Sequence, residues 1–160
     1  MNALLDQIAP FLDGRDREAN FQRVLGLVLA HFHSETGTIH LLDREKKTLH
    51  LAAQIGLPPI MLDVVKTIPV GKGIAGETVA RGGPVTMCNL QTDTSGVAKP
   101  GARQTGVGGA LCVPLRNGEA VVGTIGVGTI RQYQFTPEET HLLEELGRAI
   151  GSRLTSECKM

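Results

Sequence analysis

The chain has 160 residues, with 16 basic and 16 acidic side chains, 41% hydrophobic and 3% aromatic content and no tryptophan. It therefore offers no net field to draw nucleic acid or an acidic membrane, and no aromatic platform for single strands or a large planar cofactor. Three cysteines at wide spacing, Cys88, Cys112 and Cys158, signal neither a disulfide framework nor a zinc site.

From Asn2 to Phe11, Leu4, Leu5 and Ile8 recur at helical spacing, with Leu12 just beyond. This stripe suits a dimer seam or packing on its own domain. A second helix is expected from Arg15 to His33, where Phe21, Val24, Leu25, Val28, Leu29 and Phe32 step by three and four. Gly37 to Asp43 and Thr48 to Ile55 are strand-like, and the charged turn 43–47 joins them as a hairpin. Ile60 to Lys66 is a short helix candidate. The glycines of Gly71-Lys72-Gly73-Ile74-Ala75-Gly76 open a helix that Gly82-Gly83 ends, and Pro84 to Cys88 forms a short strand. Residues 89–109 show no periodicity and form a long loop, of the kind that usually has a task. Next come two apolar runs, Leu111 to Leu115 and Ala120 to Ile130, on either side of Arg116-Asn117-Gly118-Glu119. Asn-Gly between apolar runs marks a hairpin, and strands apolar at nearly every position ask for cover on both faces. Pro114 favours a three-residue turn with Gly118 as the bulge residue. Thr136, Pro137 and Glu139 form a capping box that starts a closing helix to about Ser156.

Three segments in this order carry a family resemblance: IPVGKGIAGETVARGGPV (68–85), LCVPLRNGEAVVGTIGVG (111–128) and FTPEETHLLEELGRAIG (135–151). With the element order, they resemble a GAF domain from about Phe21 to Leu154. The resemblance implies an α+β fold of the GAF/PAS type. It would have a central antiparallel sheet of about six strands, terminal helices on one face and a ligand pocket on the other. It also implies a sensor that binds a small molecule, dimerises through its terminal helices and signals to an output protein. Subfamily marks are missing. There is no Asn-Lys-Phe-Asp-Glu set for cyclic nucleotides, and neither Cys88 nor Cys112 is followed by histidine as bilin attachment requires. The cysteines that free methionine-(R)-sulfoxide reductases keep before the IPVG motif, within it and in the following loop are absent too, apart from Cys88.

The expectation is thus a non-catalytic cytoplasmic sensor, one domain over 1–160, homodimeric, with a small-molecule ligand of unidentified nature and no cofactor named. No basic region with an apolar core opens the chain, and no apolar run reaches ~18 residues, so no membrane partner is expected; nor is nucleic acid. The alternatives are a thiol-dependent reductase using Cys88 and a dimerisation module without a ligand. The ligand-contact candidates are Asp93, Thr94, Arg103, Gln104 and Thr105 in the long loop, which caps the pocket in GAF-like folds. Arg103 suits a carboxylate or phosphate. Lys72 joins them beside the free N–H groups of a helix start, a place that can hold an anion. The literal GxGxxG at 71–76 sits among antiparallel hairpins, which removes the Rossmann reading; its glycines read as turn and packing residues. His40 and His50 are equidistant from Glu45, and as cross-strand neighbours they would make half a metal site. Cys112 reads as a small core hydrophobe.

Overall fold

A computed structural model of the chain describes residues 3–12, 17–87 and 108–154. Two hairpins dominate it. The first joins β1 (Thr36–Asp43) to β2 (Thr48–Ile55), and the second joins β5 (Gly109–Asn117) to β6 (Ala120–Thr129). With β3 (Thr67–Pro69) and β4 (Val85–Met87) they form a six-stranded sheet, order β3-β2-β1-β6-β5-β4, antiparallel throughout. The α+β architecture read from the sequence is thus the observed one. Only β3 is unannounced, because three residues around a proline carry no periodicity.

Registers differ from the simplest expectation in both hairpins. Asp43 pairs with Thr48, and its carboxylate accepts the amide protons of Glu45 and Lys46 at 3.1 and 3.2 Å. Four residues, 44–47, therefore form the turn, so His50 pairs with Leu41 and His40 with Leu51. A shift of one residue puts the two histidines on opposite faces, and the half metal site is not formed. In the second hairpin Asn117 pairs with Ala120, leaving a two-residue turn with Gly118 at φ 60°. The bulge expected at Gly118 lies instead on β6, where Val122 is skipped between the pairs Leu115–Gly123 and Arg116–Val121. A glycine at the first turn position matches the strand twist without a bulge of its own.

Helices α1 (Ala3–Leu12), α2 (Arg17–His31) and α5 (Pro137–Gly151) cover one face. Leu25, Val28, Leu143, Leu146 and Ile150 meet Ile39, Leu111, Val113 and Ile125 in the main core. Leu4 and Ile8 are buried in that same core, so those two residues are used within the chain and not at its surface. Close contact needs missing side chains. A Cβ on Gly37 would lie 2.9 Å from both Leu25 and Leu29, and one on Gly147 would lie 2.5 Å from the Pro114 carbonyl oxygen. The capping box forms as expected. Glu139 N–H donates to Thr136 Oγ1 at 3.1 Å, and Thr136 N–H donates to Glu139 Oε1 at 2.9 Å.

The other face carries α3 (Pro59–Val65) and α4 (Gly73–Arg81) over a small cluster of Leu49, Ile68, Ala75 and Cys112. Gly71 and Gly73 both take positive φ, 90° and 66°, in the turn that opens α4. Gly76 packs so closely that a Cβ there would lie 2.5 Å from the Pro69 carbonyl oxygen. The GxGxxG stretch is thus a turn and a packing contact. Among the described residues, no helix is long and apolar enough to cross a membrane.

Candidate functional site

Among the described residues, the face under α3 and α4 is not closed. Strand residues alternate in direction, so Thr36, Thr38 and His40 on β1 point to this face while Gly37, Ile39 and Leu41 point to the helices. Their partners continue the pattern. Thr38 pairs with Gly126, which pairs with Cys112; Thr36 pairs with Gly128, which pairs with Ala110. Small side chains at neighbouring positions on three strands leave a hollow. It has a volume of about 160 Å³. Met61, Val64 and Val65 of α3 roof it, Ile68 closes the β3 side, and Ile74 and Ala75 of α4 close another. None of the described lining side chains carries a formal charge.

His40 is the ionisable imidazole among the polar residues lining this cavity, beside Thr36 and Thr38. The residue is 1% exposed, and its Nε2 lies 2.8 Å from the Val65 carbonyl oxygen. A carbonyl only accepts, so Nε2 carries the proton and Nδ1 is left as an acceptor. Nδ1 is buried and has no hydrogen-bond partner among the described residues. Burial holds the imidazole below its ordinary value of 6.5, more than the Val65 carbonyl raises it, and His50 adds a small push in the same direction as burial. The ring is therefore neutral at pH 7.

Cys112 lines the cavity between Val85 on β4 and Gly126 on β6. Complete burial pushes its thiol up to about 11, while the Thr78 and Thr124 hydroxyls beside it pull the other way. At neutral pH it is a protonated thiol, a weak nucleophile as it stands. The sequence placed Cys112 in the core; its position on a cavity wall follows only from the strand register.

Of the residues singled out from the sequence, Lys72 is exposed at the start of α4, where its side chain makes no cap, and it does not line the cavity. Asp93, Thr94, Arg103, Gln104, Thr105 and Cys88 lie outside the described residues. Among the described residues, no group of three metal-ligating side chains converges. The cavity-lining set of Thr38, His40, Cys112 and Gly126 escaped the sequence reading. The signal that could have found it is an alternation of size rather than of polarity: Ala110, Cys112 and Pro114 against Leu111, Val113 and Leu115.

The family pattern described as GAF domain matches residues 14–155. Solved structures share the fold at low identity. The GAF domain of a phosphoenolpyruvate-protein phosphotransferase from Coxiella burnetii is 15% identical, with 98% of this chain and 95% of that one covered and a TM-score of 0.81. The free methionine-R-sulfoxide reductase of Neisseria meningitidis, solved with its substrate, is 21% identical over 98% of this chain and 89% of that one, TM-score 0.79. The reduced form of the Staphylococcus aureus free methionine-R-sulfoxide reductase is 19% identical over 94% and 92%, TM-score 0.73. No curated protein matches the chain in sequence. The expectation of a non-catalytic protein is overturned here. Enzymes share this fold across nearly its whole length, so fold and element order give no ground for excluding catalysis. What the pattern over residues 14–155 does establish is membership: this chain belongs to the GAF domain family.

Proposed function

We propose that the chain binds a compact small molecule in the cavity between its sheet and helices α3 and α4. One observation carries this. On the cavity face the strands place threonine, glycine, alanine and cysteine where the opposite face has leucine, isoleucine and valine, and the space so left stays open at about 160 Å³. Protein interiors are otherwise packed nearly without voids, and an apolar pocket with a few convergent polar groups is the usual form of a ligand site. Occupancy acts on the rest of the molecule through whatever arrangement the ligand binds best. Helix-mediated pairing of two copies belongs to the same proposal, using helix surfaces other than buried Leu4 and Ile8.

The test is native mass spectrometry of freshly purified protein beside the same sample denatured, for the native sequence and for Gly126→Val. A Cβ at position 126 would sit 3.6 Å from Cys112 Sγ and Thr38 Oγ1, in ordinary contact, so the valine fills the cavity without crossing the core. A mass excess seen only in the native spectrum, and lost in Gly126→Val, supports the proposal. An excess that survives in Gly126→Val, or no saturable ligand at all, rejects it. The same spectra report whether two copies pair.

A second reading is reduction of free methionine-R-sulfoxide, favoured by the Cys112 thiol on the cavity wall and by the fold shared with such reductases. Turnover with a dithiol reductant, abolished in Cys112→Ser or Cys88→Ser, supports it; absence of turnover in the native protein removes it.

A further inference from the structure

The lining of the cavity narrows the class of ligand, and this step rests on the pocket proposed above. We infer that the cavity takes an uncharged, predominantly apolar molecule, whose seated part is about the size of one aromatic ring.

Charge sets the first limit. The described lining residues include no lysine, arginine, aspartate or glutamate, and nearly all the surface they turn to the hollow is apolar. An ion seated there would give up its hydration and gain no partner among them. Neutral polar groups find few openings either. The floor strands β1 and β6 each have a hydrogen-bonded strand on both sides, so their amides are spent in the sheet. Thr36 Oγ1 donates to the Gly128 carbonyl at 3.4 Å, and His40 Nε2–H to the Val65 carbonyl at 2.8 Å. Cys112 adds a thiol, a weak hydrogen-bonding group.

Size sets the second limit. A cavity of about 150 Å³ walled by aliphatic side chains accepts one benzene ring, and this one is about 160 Å³. The approach has the same character. Among the described residues three large apolar side chains stand exposed, and two of them are on the roof helix: Ile60 at 71% and Val64 at 41%. They lie one turn apart on α3, and Val64 also lines the hollow, so apolar surface runs from solvent into the cavity. These limits also set the two readings above apart. A free amino acid carries an ammonium and a carboxylate at neutral pH, and among the described lining residues neither meets an opposite charge.

Toluene, benzoate and benzylammonium make the test, being one shape without charge and with either sign. Their affinities for the whole chain are measured by calorimetry or by ligand-observed magnetic resonance, on the native sequence and on Gly126→Val. The expected result is saturable toluene binding, about tenfold or more tighter than that of either ion, and lost in Gly126→Val. On native protein toluene should shift the methyl signals of Met61 and Ile74 more than those of Ile39 and Ile125 on the opposite face. Should Gly126→Val not fold, that map locates the site alone. Either ion bound as tightly as toluene, and lost in Gly126→Val, overturns the apolar class while leaving the cavity as a site. Toluene that persists in Gly126→Val, or that shifts Ile39 and Ile125 as much as Met61 and Ile74, overturns the assignment to the cavity. If none of the three binds native protein the class falls, and the native mass spectrum decides separately whether the cavity holds anything.

Discussion

The two faces of one sheet are built from the same strands and come out opposite. On the helix side β1, β5 and β6 present Ile39, Leu111, Val113 and Ile125, all with no exposed surface, and the space is filled. One residue away along each strand, the cavity side presents Thr38, Cys112 and Gly126, and a hollow remains. Cys112 is buried, but Thr38 and Gly126 are only half-buried, so the cavity side is also the less sheltered of the two. The difference lies in side-chain volume at alternate positions: bulk on one side fixes the fold, and its lack on the other leaves room for something else.

That contrast can be broken at several points. The largest effect is expected for Ile125→Ala, which opens a void in the filled face and should cost about 2–5 kcal/mol in urea unfolding. Cys112→Ala, on the adjacent strand but beside space that is already open, should cost about 1 kcal/mol or less. Next comes a pair of identical substitutions on opposite faces. Gly37→Ala drives a methyl to 2.9 Å from Leu25 and Leu29 and should destabilise by about 1–3 kcal/mol. Gly126→Ala places its methyl in ordinary contact at 3.6 Å and should be neutral or stabilise by about 0.5 kcal/mol, through the unfolded chain. Equal losses at the two glycines would erase the distinction between the faces.

Smaller effects sharpen it. Thr136→Ala, remote from both faces, removes the α5 cap and should cost about 1 kcal/mol, with the affinity for any cavity ligand unchanged. His40 gives the cavity face its own pH dependence. Since burial depresses its value below 6.5, the folded protein binds fewer protons than the unfolded chain under acid conditions. Its contribution is complete above pH 6.5 and declines as the pH falls from there toward the depressed folded value. Urea midpoints taken from pH 7.5 down to about 5 should show this decline, and His40→Phe should lack that component. Last, Cys112 in a Cys88→Ser/Cys158→Ser background should resist Ellman's reagent at pH 8 until the protein unfolds, because its thiol is pushed up to about 11.

Much of the fold is legible in the chain because its signals are local. Asn117-Gly118 between apolar runs, the Thr136–Glu139 capping box and the glycines around α4 each act within a few residues and each forms the element expected. Register is less local. Counting outward from Glu45 gives a symmetric turn that would set His40 opposite His50, while the Asp43 carboxylate fixes a four-residue turn and moves every pair by one. The cavity is less local still, since it appears only when Thr38, Gly126 and Cys112 from three strands are brought abreast. The polar loop that drew the ligand assignments, with Arg103 and its neighbours, lies outside the described residues, whereas a histidine read only as half of a metal pair lines the cavity.

The sheet ends in two three-residue strands, β3 and β4, and β3 closes on Pro69, which has no amide proton to give. Among the described residues, each end strand offers only three residues to a strand added beyond it, while β2 past Leu51 and β5 past Cys112 have no strand partner on that side. A chain adding there would have to step past a short end strand, unlike on the long, flat edges where ribbon-like aggregates grow.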